Sequence, residues 1–319
     1  MRSGTGRALL LHLAVLAVLF GLQFVLPDYH HRSFARILVL ASYAVGYNLL
    51  LGYTGLLSLG HAMLFAAGLY GAGLAVQHLA IDAASGFVLG ILSGLALALV
   101  VGLVALRTSG VAFMIVTLMF SQAAFLTTLY FSAVTRGDEG FTLPAAARQY
   151  AIGDLFFDLT DPGTRYNLAL LLFGACLMAS FALVRSPMGR VLVAIRENEP
   201  RTVMLGYHTF RYKLLALAAS GAISGAAGAA YALLFSYVGS TFASIQYSIL
   251  PLLWVLLGGV GTTLGPLIGT LLMFYLIDTI SGYTSAYLLV VGLALVLLVL
   301  LFPKGILGTV RAKAAPWLP

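Results

Sequence analysis

The chain has 319 residues, of which 61% are hydrophobic and 8% charged, with 17 Lys and Arg against 10 Asp and Glu and a net charge of +7. A soluble chain of average composition is about one quarter charged, so this one cannot cover a core with polar surface and reads as a polytopic membrane protein, with lipid accepting apolar side chains outside; disordered, collagen-like and coiled-coil classes fall to the same numbers. The excess of base fits cytoplasmic Lys and Arg rather than a nucleic-acid footprint, and the single Cys, Cys176, rules out an internal disulfide or a cysteine metal cluster.

A helix that crosses the hydrocarbon needs about 20 mostly apolar residues. On that rule spans are expected at 8–26, 34–51, 60–80, 87–106, 111–133, 166–184, 213–236, 246–260, 263–280 and 284–302, an all-α transmembrane helix bundle of ten spans. The first follows Arg2 and Arg7, the flank of a signal peptide. Its apolar stretch is about 19 residues long and no small-residue cleavage site follows, so it reads as a retained span. After the second span comes an uncharged Gly-rich turn from Gly52 through Gly55 and Ser58 to Gly60 and His61. The longest outer loop, 134–165, carries Asp138, Glu139, Asp154, Asp158 and Asp161 and is long enough for a small external cap. In span seven Gly221, Gly225 and Gly228 have the spacing of a tight helix contact, within the chain or against a second membrane subunit. The eighth span contains Pro251 and ends in Gly258, Gly259 and Gly261, so a short or broken helix is expected there, with Gly258, Gly259 and Gly265 in a Gly-rich turn like that of Gly52, Gly55 and Gly60. The stretches 50–60 and 256–265 align if one residue is skipped, as an internal repeat of a transporter would.

Sidedness follows from the bases. With the N-terminus cytoplasmic, 12 of the 17 basic residues lie inside, among them Arg107, Arg185, Lys304, Arg311 and Lys313, and 5 outside: Arg32, Arg36, Arg136, Arg148 and Arg165. Ten spans bring both termini to the basic side, as the positive-inside rule requires.

Self-powered chemistry is missing. No H-E-x-x-H, nucleophile elbow or P-loop is present, and His12, His30, His31, His61, His78 and His208 lack the helical spacing of metal ligands. The one acid inside an expected span is Asp278, near its outer end, which argues against ion coupling through buried charge.

Charge is concentrated instead between spans six and seven, in the cytoplasmic segment 185–212. Pro187 and Pro200 suit helix starts and Gly206 a left-handed C-cap, which predicts two short helices. Gly189, Arg190, Arg196, Glu197, Glu199 and Arg201 surround them, and Val203, Met204 and Leu205 give the second an apolar tip. The pattern fits an amphipathic loop on headgroups or a docking helix for a cytoplasmic partner.

At these residues the chain resembles a known family, the LivM-type membrane subunits of bacterial ATP-binding-cassette importers for branched-chain amino acids. The likeness covers roughly 34–310 and rests on five pieces in order: 52–61; Thr135 to Pro144; Gly189-Arg190 through Arg196-Glu197-Asn198-Glu199 to Leu205-Gly206; Leu257-Gly258-Gly259 to Gly265-Pro266; and Pro303-Lys304-Gly305-Ile306-Leu307-Gly308. The chain departs from the family at Arg201, Thr202 and Val203, where Ala-Ala is common, and at the Asp138-Glu139 pair. The resemblance implies one permease domain over 1–319 in the bacterial inner membrane, paired with a LivH-like second permease. It implies two cytoplasmic ATP-binding subunits docked at 187–207 and a periplasmic or secreted binding protein. No cofactor belongs to the chain itself, ATP being used by the partners, and no metal site is expected.

Candidates for the pathway are the polar residues within spans: Asn48, Ser58, His61, Thr117, Ser121, Gln122, Thr128 and Tyr275. Thr117, Ser121 and Thr128 share one helix face. Each could equally be interhelical glue, at about 0.6 kcal/mol. Urea, short amides or other amino acids compete as solutes, and a secondary transporter, a channel or a membrane assembly protein would need no ATPase partner.

Overall fold

Each of the ten apolar segments contains a helix in a computed structural model, which describes residues 2–152, 155–302 and 304–313. Asp154 of the outer loop and Pro303 of the last family-like motif lie outside the described residues. Helix α1 is Arg2–Leu22, α2 is Asp28–Asn48 continuing as a π-helical turn over Leu49–Tyr53, α3 is Ala62–Leu79, α4 is Ala83–Ala105 and α5 is Val111–Tyr130. A short α6, Ser132–Thr135, leads into the outer loop, and α7, Pro162–Arg185, returns across the bundle. Two short helices, α8, Pro187–Glu197, and α9, Glu199–Met204, precede α10, Thr209–Phe235. The chain closes with α11, Ile245–Gly258, α12, Gly265–Ser281, α13, Tyr287–Leu301, and α14, Ile306–Lys313.

Among the described residues six helical segments are long and apolar enough to cross a membrane, and Gly6–Leu22, Ile245–Gly258, Gly265–Ser281 and Leu289–Leu298 are shorter apolar helices. With 14 residues α11 rises about 21 Å, less than the roughly 30 Å of hydrocarbon. The short helix expected around Pro251 is thus what forms.

The most hydrophobic helices are not the most central. The window of α2 is 83% buried, whereas that of α5 is 17% buried. Helix α2 packs against α7, α10, α11 and α12, and α10 lies against α3 and α4. Close approach depends on small residues. A Cβ on Gly68 would fall on the Gly225 carbonyl, and one on Gly94 would lie 2.7 Å from the Gly225 Cα and from the Gly221 carbonyl. The small-residue face of span seven is therefore consumed by α3 and α4 within the chain, which corrects the alternative that it meets a second membrane subunit.

The outer loop forms a cap tied to α10. Strand β1, Phe141–Thr142, pairs antiparallel with a strand just after α10, Tyr237–Val238, in the register Phe141 to Val238, and Gln149–Ile152 pairs with Leu155–Asp158. Arg148 holds the cap down. Its Nε donates to Leu233 O at 2.8 Å and its Nη2 to Leu234 O at 2.8 Å and Leu159 O at 3.0 Å. The carbonyls of Leu233 and Leu234 are orphans at the negative end of α10. Desolvation by burial, reinforced by the charge of Arg165, lowers the Arg148 pKa from the usual arginine value.

Candidate functional site

In the segment 185–212 the two short helices form with the expected punctuation. Ser186 caps α8, its Oγ accepting from Gly189 N at 3.3 Å, and Pro187 follows at the first helical position. Asn198 caps α9 through Arg201 N at 2.9 Å, so that helix begins at Glu199, one residue earlier than Pro200 predicts. Gly206 takes φ +88°, the left-handed conformation expected after the helix. Helix α8 buries Gly189, Val191, Leu192 and Ile195. Arg190 and Arg201 remain exposed, and the apolar tip stands free: Val203 is 53%, Met204 86% and Leu205 70% exposed.

Arg196, Glu197 and Glu199 are engaged within the chain. Glu199 pairs with Lys213 at 2.5 Å, and that lysine, at the start of α10, is only 7% exposed. Glu197 pairs with Arg196 at 2.7 Å. Another nitrogen of the same guanidinium, Nη1, donates to the Gly52 carbonyl. Lys213 counts among the bases expected inside but not among the expected site residues; its signal is a base placed at the apolar start of a span.

The two Gly-rich turns meet. Asn48, buried in α2, donates from Nδ2 to Thr262 O at 2.9 Å and accepts from Gly261 N at 3.0 Å on Oδ1. Arg311 of α14 donates to Gly261 O at 3.1 Å, the counterpart of Arg196 on Gly52 O. Gly55 and Gly261 hold φ +76° and +70°, which glycine alone adopts without strain. Gly60 lies against the Thr117 carbonyl. Gly258 and Gly265 are not turn residues as expected: they end α11 and begin α12, and a Cβ on Gly258 would fall on the Gly265 carbonyl. Gly259 is 2.7 Å, measured from an added Cβ, from the Gly308 nitrogen, so the C-terminal motif packs on the second turn. His12 fixes α1 to the same place, its Nε2 2.6 Å from Thr263 Oγ1.

Above the turns lies a polar cluster. His61 is buried at the start of α3, Nε2 3.0 Å from Ser224 Oγ and 3.1 Å from Ser220 Oγ, with Tyr47 edge-on at 4.9 Å and Tyr43 stacked at 5.7 Å. Ser220 Oγ continues to Gly46 O at 2.6 Å. Ser58 accepts from Gly60 N on Oγ and from Tyr47 OH on its carbonyl. Thr117 is buried and turns its hydroxyl to Met114 O, while the buried Ser121 hydroxyl has no partner among the described residues. Gln122 is half-buried, and Thr128 lines a cavity of about 660 Å3 between α3 and α5 with Tyr70, Phe120 and Ala124. Tyr275 lies apart, its hydroxyl 2.9 Å from His30 Nδ1.

Asn48 carries the junction of the turns. Asn48→Leu is expected to leave Gly261 N and Thr262 O unpaired and to cost about 2–6 kcal/mol, at about 1–3 kcal/mol for each buried unsatisfied group. Thermal unfolding of the purified protein in detergent would register it; an unshifted midpoint would show that the turns close without this bridge.

Bundle, buried polar cluster and charged hairpin together define a multi-pass membrane transport protein. The chain belongs to the family described as the permease component of branched-chain amino acid transport systems, whose profile matches residues 31–301. It is similar to the high-affinity branched-chain amino acid transport system permease protein LivM of Escherichia coli strain K12, with 28% identity over 84% of this chain and 68% of that protein. It is also similar to the permease protein LivH of the same system and strain, with 26% identity over 83% of this chain and 90% of LivH. A probable LivM of Methanocaldococcus jannaschii is 34% identical over 32% of this chain and 30% of its own length.

Proposed function

We propose that this chain is the pathway-forming permease of an ATP-binding-cassette importer for branched-chain amino acids in the cytoplasmic membrane. It works beside a second, LivH-like permease, receives the solute from an external binding protein and takes its energy from two cytoplasmic ATPases. Without a P-loop of its own it hydrolyses no ATP. The observation that carries the reading is the exposed apolar tip, Val203, Met204 and Leu205, at the end of a short helix whose one carboxylate, Glu199, is already paired within the chain, as is Glu197 at the end of α8. Apolar anchors left free on a rigid helix end are what a groove on a partner takes up. Likeness to both LivM and LivH supports a pathway between two related permeases. Closing of the ATPases would push the tip, and rocking of packed helices would open the solute route alternately to each side.

The test is Met204→Asp with Leu205→Asp. Both side chains are exposed, so the permease should accumulate and unfold as wild type, while copurification of the ATPases and uptake of leucine are lost. ATPases retained at wild-type stoichiometry, with normal uptake, would refute the docking role.

A further inference from the structure

At the outer end of the bundle, remote from the hairpin, a cavity of about 410 Å3 opens between α2, α7, the end of α10 and α12. That volume is within the roughly 300–1,000 Å3 of small-molecule sites. Its walls carry Arg32 and Arg36 from α2, Arg165 from α7, Phe235 from α10, and Phe274 and Asp278 from α12. Arg36 and Arg165 lie over the same Phe235 ring, their guanidinium carbons 5.4 and 5.8 Å from its centroid. The charges of Arg32 and Arg36 both act on Arg165, against the weaker opposing influence of Asp161.

Three guanidiniums thus converge on the side that sidedness leaves poor in base. Among the described residues the ion pairs are Arg196–Glu197 and Lys213–Glu199, both cytoplasmic, so no described carboxylate pairs with any of the three. Arg165 reaches only the carbonyls of Leu159 and Thr160, at 3.4 and 3.3 Å, and its buried Nε has no partner among the described residues. Asp278, on the facing helix, accepts from the Tyr29 hydroxyl and faces no described base within pairing distance. Unpaired cations, one carboxylate and two aromatic faces in one concavity are the complement of a zwitterion with an alkyl side chain: a guanidinium fork takes a carboxylate, and carboxylate and ring faces take an ammonium.

We propose that this cavity binds an amino acid on the outer side, its α-carboxylate on Arg36 and Arg165, its ammonium toward Asp278 and its aliphatic side chain against Phe235 and Phe274. The inference rests on the amino-acid importer reading and adds the residues that meet the solute first. Arg32 and Arg36 are exposed at this end of α2, so a lipid phosphate is the competing occupant, and displacement by inorganic phosphate reports it.

The experiment is equilibrium binding of radiolabelled L-leucine to the purified full-length chain in phosphatidylcholine nanodiscs, with leucinamide and 4-methylvalerate as competitors. The wild type should bind saturably, with leucine displacing the label better than either competitor. Arg36→Gln and Arg165→Gln should each weaken leucine about tenfold or more, the loss of one charged hydrogen-bond partner. Asp278→Asn should weaken leucine and leave 4-methylvalerate unchanged. Should Arg165→Gln fail to accumulate, Arg36→Gln and Asp278→Asn carry the test. No saturable binding to the wild type, equal binding by the variants, or displacement by inorganic phosphate as readily as by leucine would each overturn the proposal. Such a result leaves ATPase copurification untouched, whereas a permease that never assembles with ATPases would sink the importer reading and spare the binding data.

Discussion

Replacing Gly68 by alanine is expected to prevent the folded protein from accumulating, although the change adds a single methyl group. The added Cβ would fall on the Gly225 carbonyl and 2.5 Å from its Cα, and the opposing Gly90 in turn sits 2.7 Å, from its own added Cβ, from the Gly68 carbonyl. Three helices, α3, α4 and α10, meet there backbone to backbone, so no side chain can rotate away. Overpacking of a core costs about 1–3 kcal/mol and more where nothing yields. Water supplies no hydrophobic force between helices in lipid, and close van der Waals contact is what holds them; separating α3 from α10 therefore removes the contact rather than weakening it. Gly292 is the control, because a Cβ there meets nothing within 4 Å. Size-exclusion profiles of detergent extracts should show Gly68→Ala aggregated or absent and Gly292→Ala monodisperse. A monodisperse Gly68→Ala would mean that the helices can slide.

That stripe marks a limit of reading the sequence. Gly221, Gly225 and Gly228 were visible as a small-residue face, but the partner was open because Gly90 and Gly94 of α4 lie in a run so hydrophobic that it reads only as a span. The ten apolar segments and the capped hairpin were legible since both depend on neighbours in the chain: length, Pro187, Asn198 and Gly206 are local signals. The roles of the polar residues were not. Asn48 reads as a pathway candidate until Gly261 and Thr262 arrive beside it from more than 200 residues away, and Arg196 and Glu199 read as the rim of a docking helix until Gly52 and Lys213 claim them. Periodicity reports which face is apolar and not which distant backbone group that face will satisfy.

On the proposed importer function, removing the Arg196 side chain should lower leucine uptake per ATP hydrolysed by about ten- to a hundredfold while the ATPases stay bound. Arg196 is the one residue of α8 that grips the Gly52 carbonyl, and its stem packs against Gly55, with the Cγ 2.8 Å and the Cα 3.3 Å from where a Cβ on Gly55 would be. Gly52 abuts Gly261 through Asn48, and Arg311 holds Gly261 from the other side. Two cytoplasmic helices therefore grasp two turns that are bound to each other, but only α8 continues into the exposed tip of α9. A push on the tip has a direct route: α9 to α8, Arg196 to Gly52, and from that turn into α2 before it and α3 after it. A hydrogen bond from a charged donor is worth about 1.5–3 kcal/mol, which sets the expected range through the tenfold per 1.4 kcal/mol relation. The tip is untouched in Arg196→Ala, so docking survives; Arg196→Lys restores a charge without the planar fork and should recover part of the loss. Arg311→Ala loosens the second turn without interrupting the route, and should cost less coupling than Arg196→Ala. Uptake and hydrolysis measured together in proteoliposomes separate these cases: an unchanged ratio in Arg196→Ala would show that force enters the bundle elsewhere, through the buried Lys213–Glu199 pair that ties α9 directly to α10.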